Sequence, residues 1–201
     1  MLGLGNPGPR YAHTRHNLGF RVIDAMASSH GIARWSQRQT LVRAEFDIVS
    51  TRIVLAKPQT YMNLSGHAAA ELRSDFGAEP GELLVAVDDI ALPLGQLRLR
   101  IRGSDGGHNG LKSVIAELGT SEFPRLRMGV GPVPSDVDPA EFVLSPFPSE
   151  EALNADAMVV RAVQCVEAWC ASGSIAPWAF STHLTRSGTR TGKAVDGGRG
   201  V

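Results

Sequence analysis

Five short stretches of this chain set imidazole, carboxamide or carboxylate groups beside turn-forming residues. Asn6 lies in Gly3-Leu4-Gly5-Asn6-Pro7-Gly8, and His16 in Thr14-Arg15-His16-Asn17. Asn63 lies in Tyr61-Met62-Asn63-Leu64-Ser65-Gly66, and His108 with Asn109 in Gly106-Gly107-His108-Asn109-Gly110. The fifth, Val85-Ala86-Val87-Asp88-Asp89, ends an apolar run on two carboxylates. Imidazole exchanges protons near neutral pH and can take one from water. A carboxylate orients the ring, and carboxamides donate and accept hydrogen bonds without carrying charge. A base, an orienting acid and neutral donors together suit direct attack of water on an ester carbonyl.

Other chemistries fit less well. The first stretch spells GxGxxG, but a dinucleotide site needs a helix to open at once behind the glycines, with an acid about 20 residues on. Here Pro7 and Pro9 follow, the helical pattern starts near Asn17, and Asp24 falls inside it. His16, Asp88 and His108 could together hold a metal, but no HxxxH, HExxH or cysteine pair supports one. Ser65 and Ser104 lack the GxSxG elbow of a serine nucleophile. Cys165 and Cys170 lie far from these stretches and form neither a CxxC pair nor a disulfide framework. No metal and no organic cofactor is expected.

The groups need elements to hold them. Met1–Leu4 reads as the end of a short buried strand. Asn17–His30 reads as an amphipathic helix closed by Gly31. Strands are expected at Val42–Ser50 and Arg52–Lys57, then a helix over Asn63–Phe76, capped by Asn63 or Ser65 and stopped by Gly77. Leu83–Val87 is short and apolar enough for a buried parallel strand. Gln96–Arg102 reads as a half-buried strand, with Leu97, Leu99 and Ile101 alternating with arginines. Gly110–Leu118 reads as a helix, Arg125–Val130 as a strand and Pro148–Ser172 as a long final helix. The alternation predicts one α/β domain over 1–184, a mixed twisted sheet with helices on both sides. Residues 185–201, rich in Gly, Thr, Ser and Arg, are expected to be a disordered tail. Nearly every chemistry-bearing stretch falls at a strand end or a helix start, where an open α/β sheet collects its site.

With 201 residues, 43% of them hydrophobic and 20% charged, the chain can bury a real core. It has no apolar run long enough for a membrane helix and no signal-peptide pattern, so a cytoplasmic protein is expected. The formal net charge is zero but unevenly spread. Arg98, Arg100, Arg102 and Lys112 against Asp105 give a local +3, and residues 185–201 give another +3. Such a stripe is either a solvated strand face or a footprint for nucleic acid.

Read in order, GLGNPG, YxxTRHNLGF, KPQTYMNLSG, the Asp88-Asp89 strand end, GGHNGLKS and FPRLRMGVG resemble bacterial-type peptidyl-tRNA hydrolases over about residues 1–184. The resemblance implies hydrolysis of the ester joining a peptide to the 3′-terminal ribose of tRNA, by a monomer without metal or cofactor. It implies His16 as base, Asp88 as its partner, and Asn6, Asn63 and Asn109 as holders of substrate and water. Tyr11, Met62 and His108 would line the cleft. Arg98, Arg100 and Arg127 would meet tRNA phosphates, contacts that fix position without reading sequence. The family's further acid, three residues past the catalytic one, is Ala91 here. The alternative is an RNA-binding protein of the same fold without hydrolase activity.

Overall fold

The computed structural model describes residues 1–48 and 51–172. In chain order the elements are β1 (Leu2–Gly3), α1 (Leu18–Ser29), β2 (Ser36–Gln37), β3 (Leu41–Ile48), β4 (Thr51–Pro58) and α2 (Ser65–Phe76). There follow β5 (Val85–Pro93), β6 (Leu97–Arg100), α3 (Asn109–Leu118), β7 (Arg125–Gly131), α4 (Pro139–Leu144) and α5 (Ser149–Ser172). The strands form a single mixed sheet in the order β2-β3-β4-β1-β5-β7-β6. β1, β4, β5 and β7 pair in parallel, and β2, β3 and β6 join antiparallel at the two edges.

Central strands covered on both faces read as continuous apolar runs rather than as alternation. Val85, Ala86 and Val87 are fully buried, and the pleat sends them to opposite sides. Ala86 joins the core beneath α1 and α5, with Leu18, Val22, Met26, Met158 and Val166. Val85 and Val87 join the core beneath α2 and α3, with Leu72, Leu111, Val114 and Phe123. The expected α/β fold with helices on both sides is what forms.

The glycine at the start of the chain serves packing. A Cβ on Gly3 would stand 2.2 Å from the carbonyl oxygen of Gly19, and one on Gly19 would stand 2.4 Å from the Leu4 backbone. Only glycine lets α1 lie this close to β1. Between Gly8 and α1 the chain makes two 3₁₀ turns, Pro9–Tyr11 and Arg15–Asn17. The glycine loop therefore runs into no α-helix that could receive a pyrophosphate.

Several boundaries differ from expectation. The first helix starts at Leu18, because Arg15–Asn17 is a 3₁₀ turn. Neither Asn63 nor Ser65 caps α2. Met62–Leu64 is another 3₁₀ turn, and the Ser65 hydroxyl donates back to the Met62 carbonyl at 2.8 Å. Gly77 does stop α2, at φ 62°. The strand read as Gln96–Arg102 spans only Leu97–Arg100, so Ile101 lies outside it, 47% exposed, and is no core residue. β2 and α4 were not anticipated. β2 is two exposed residues with no pattern to read. α4 did carry a signal, Asp138 as N-cap followed by Pro139. The expected tail, 185–201, lies outside the described residues.

Candidate active site

The cleft opens where the central strands end. Asp88, 2% exposed, is the first residue of β5 beyond its apolar run. His16 reaches it from the 3₁₀ turn before α1, which the Gly3–Gly19 approach presses onto the strands. Its Nδ1 lies 2.9 and 3.0 Å from the two carboxylate oxygens. An ionised carboxylate only accepts, so Nδ1 carries the proton and Nε2 keeps the lone pair. His108 arrives from the other side as N-cap of α3. Its Nε2 lies 3.1 Å from Asp88 Oδ1, and its Nδ1 accepts from the Gly110 and Leu111 amides at 3.1 and 3.2 Å. Burial by itself would raise the Asp88 pKa. Electrostatic attraction to His108 and then His16, with their hydrogen bonds, outweighs it and holds the carboxyl well below the usual range.

The amides are built in by the backbone. The Asn6 side-chain oxygen accepts from the Met62 amide at 2.8 Å, and among the described residues its NH2 has no hydrogen-bond partner. Asn17, to which the sequence assigned no role, locks the same loop: it accepts from the Asn6 amide at 2.8 Å and donates to the Asn6 carbonyl at 3.0 Å. Asn63 and Asn109 line the cleft beside Met62, and Asn63 is exposed. The cavity is about 520 Å³, within the usual range for small-ligand sites. Its apolar side is Tyr61, Met62, Ile90 and the α4 residues Pro139, Ala140, Val143 and Leu144.

Of the sequence-predicted site residues, the structure gathers Asn6, His16, Met62, Asn63, Asp88, His108, Asn109 and Arg127 around this cavity. Tyr11 is not part of its lining; it meets the Tyr61 ring edge-on, 6.5 Å between centroids. Arg98 and Arg100 stand outside it, exposed on β6. Arg127 differs from both. Its guanidinium pairs with Asp89 at 3.1 Å and donates to the carbonyls of Ser104 and Asp105 at 2.8 and 3.2 Å. Arg125, unmarked by the sequence, is buried and donates to the carbonyls of Gly103, Ser104 and Ser121. Burial, then the nearby Arg127 charge, lower its pKa to about 10, so it stays cationic at neutral pH. Ala91 is exposed and outside the cleft lining.

His16, Asp88 and His108 offer three ligand atoms within 4.8 Å of one another. Their protons argue against a cation. Metal on His108 Nε2 would move its proton to Nδ1, against two backbone N–H groups already pointing there. The arrangement suits a proton relay from water to imidazole, with neutral donors nearby for a developing oxyanion.

A sequence model of the family described as peptidyl-tRNA hydrolase matches residues 1–186. A peptidyl-tRNA hydrolase of Chloroflexus aggregans is 49% identical over 174 residues, covering 86% of this chain and 93% of the relative. One of Chloroflexus aurantiacus is 52% identical over 169 residues, covering 83% and 89%. Among solved structures, peptidyl-tRNA hydrolase from Acinetobacter baumannii superposes with a TM-score of 0.77 at 31% identity, over 86% of this chain and 87% of that one. With a matched family spanning nearly the whole chain and relatives at half identity, the chain belongs to the peptidyl-tRNA hydrolase family.

Proposed function

We propose that His16 is the general base with which this chain carries out the family's reaction, the hydrolysis of peptidyl-tRNA. The observation that carries the assignment is one ring with two committed ends. His16 Nδ1 is bound to a buried carboxylate, and the ring lines the cleft that holds the amides. Nε2 takes a proton from water as the water oxygen bonds to the ester carbonyl carbon. The Asn6 NH2 meets the resulting oxyanion. The tetrahedral intermediate then breaks its bond to the ribose 3′ oxygen, which takes the proton back from the imidazolium. Asp88 stabilises that imidazolium and keeps Nε2 aimed at the water.

Asn63 and Asn109 hold the terminal adenosine and the scissile carbonyl, with Met62 and His108 as walls and Tyr11 as an outer flank behind Tyr61. Arg98 and Arg100 meet phosphates further along the tRNA. No step draws on a metal or an organic cofactor. Among the described residues no helix is long and apolar enough to cross a membrane. A monomer acting in the cytoplasm, where peptidyl-tRNA arises, accords with this reading. The test is release of peptide from peptidyl-tRNA by wild type and His16→Ala side by side, the loss falling on turnover rather than on tRNA binding.

A further inference from the structure

His108 has a ring whose two nitrogens are both spoken for, in a way that admits one tautomer. A neutral imidazole has one N–H and one lone pair. The lone pair at Nδ1 takes the Gly110 and Leu111 amides, the first free N–H groups of α3. The N–H is therefore at Nε2, 3.1 Å from Asp88 Oδ1. A second proton on Nδ1 would face both amides. The side chain is 7% exposed, which leaves little water to relieve that clash. The surroundings are shaped to keep the ring there. A Cβ on Gly110 would come within 3.0 Å of His108 Cε1, and Arg127 grips the preceding loop through the Ser104 and Asp105 carbonyls.

We propose that His108 is a positioning residue for the hydrolysis: the start of α3 fixes it as a permanent Nε2–H donor, and that donor holds Asp88 in the orientation that aims His16. Both rings bond to the same oxygen, Oδ1. His108 thus stops the carboxylate from turning and shares its charge with His16. The other charged or titratable groups around the cluster do not replace it. Asp89 on β5 is paired with Arg127 on β7 at 3.1 Å, Tyr61 lies on the apolar side, and α4 presents Pro139, Ala140, Val143 and Leu144. The inference rests on His16 being the base.

His108→Asn separates the two duties. Asparagine is among the best N-caps, so its side-chain oxygen keeps the Gly110 and Leu111 amides satisfied. It is too short to reach Asp88. The expected result is wild-type thermal stability with kcat lower by about 10-fold to 10²-fold, the scale for misplacing a catalytic group. KM should stay within about twofold. The acidic limb of the kcat/KM profile should move to higher pH, because the whole charge of Asp88 then acts on the His16 ring. His108→Ala should show the same kinetic loss and also lower Tm by about 2–4 °C, from loss of the cap. Ring 15N shifts of the neutral His108 imidazole in the wild type should show the Nε2–H tautomer. Wild-type kcat and pH profile in His108→Asn, or an Nδ1–H tautomer, would overturn the proposal. An undiminished turnover in His16→Ala would instead remove the base assignment, and the tautomer measurement tells the two failures apart.

Discussion

Asp88 and Arg100 stand on strands of the same sheet with only β7 between them, and the fold treats their charges in opposite ways. Asp88 is 2% exposed, and two imidazole N–H groups meet its oxygens. Arg100 is exposed, and among the described residues its Nη1 reaches no further than the carbonyl of its neighbour Leu99, at 3.2 Å. The contrast suits the roles proposed for the two charges. A base must be oriented before substrate arrives, and a dry, fully bonded carboxylate does that without reorganising. A phosphate contact gains by releasing counterions, so its cation must stay in water and free to move. Arg127 stands between the two designs, a cation at the cleft wall already bound to Asp89 and to two loop carbonyls.

The comparison breaks most visibly at its buried end. His16→Ala should lose about 10²–10⁴-fold in turnover on peptidyl-tRNA, at unchanged Tm. A fall of less than threefold would remove the base from the mechanism. Asn6→Ala comes next, at about 2–4 kcal/mol of barrier if its NH2 meets the oxyanion. Since the Asn6 oxygen also holds the Met62 amide, circular dichroism and Tm must accompany the rates.

Arg127→Ala sharpens the middle. Loss of its grip on Asp89 and the 103–107 loop should lower kcat/KM on full peptidyl-tRNA and on a minimal substrate with only the terminal nucleotides. A loss confined to the long substrate would assign Arg127 to phosphate alone. Arg100→Ala probes the exposed end and should have a smaller effect. It should raise KM for the long substrate and flatten log K against log salt by about one unit for duplex, while the minimal substrate is untouched. An equal drop on both substrates would dissolve the distinction between the two ends. Smallest of all is a chelator: EDTA should leave the rate unchanged, and inhibition reversed by a divalent ion would contradict the proton-based reading of the cluster.

Much of the fold was legible because its signals are local. Leu83–Val87 is a continuous apolar run of strand length, and Leu18, Val22 and Met26 recur at helical spacing. The groups that line the cleft were legible because glycines, asparagines and histidines collect at loop positions. What escaped has physical reasons too. Arg125 and Arg127 sit two apart in a strand, the same pattern as Arg98 and Arg100, and are paired with them by strand register. Asp89 and the carbonyls of Gly103, Ser104, Asp105 and Ser121 make the former anchors, and among the described residues the latter have no such partners. Tyr11 carries the letters of a cleft residue, but its ring meets Tyr61 edge-on and does not join the cleft lining.

By itself, the sequence determined the α/β alternation, the core strands and the types of group available for chemistry, since periodicity, glycine placement and side-chain pKa classes are properties of short segments. It also determined the family, through motifs kept in order along the chain. The tertiary structure alone decided which nitrogen of His16 is free, that His108 meets Asp88, and that Arg127 is tied to Asp89 and two loop carbonyls while Arg100, among the described residues, bonds only its neighbour's carbonyl. Those facts depend on hydrogen bonds between residues 20 to 72 positions apart, such as His108 and Asp88 or His16 and Asp88. No local pattern encodes the direction of such a bond; it is set when α1 and α3 pack on opposite faces of the sheet and bring both rings to one carboxylate.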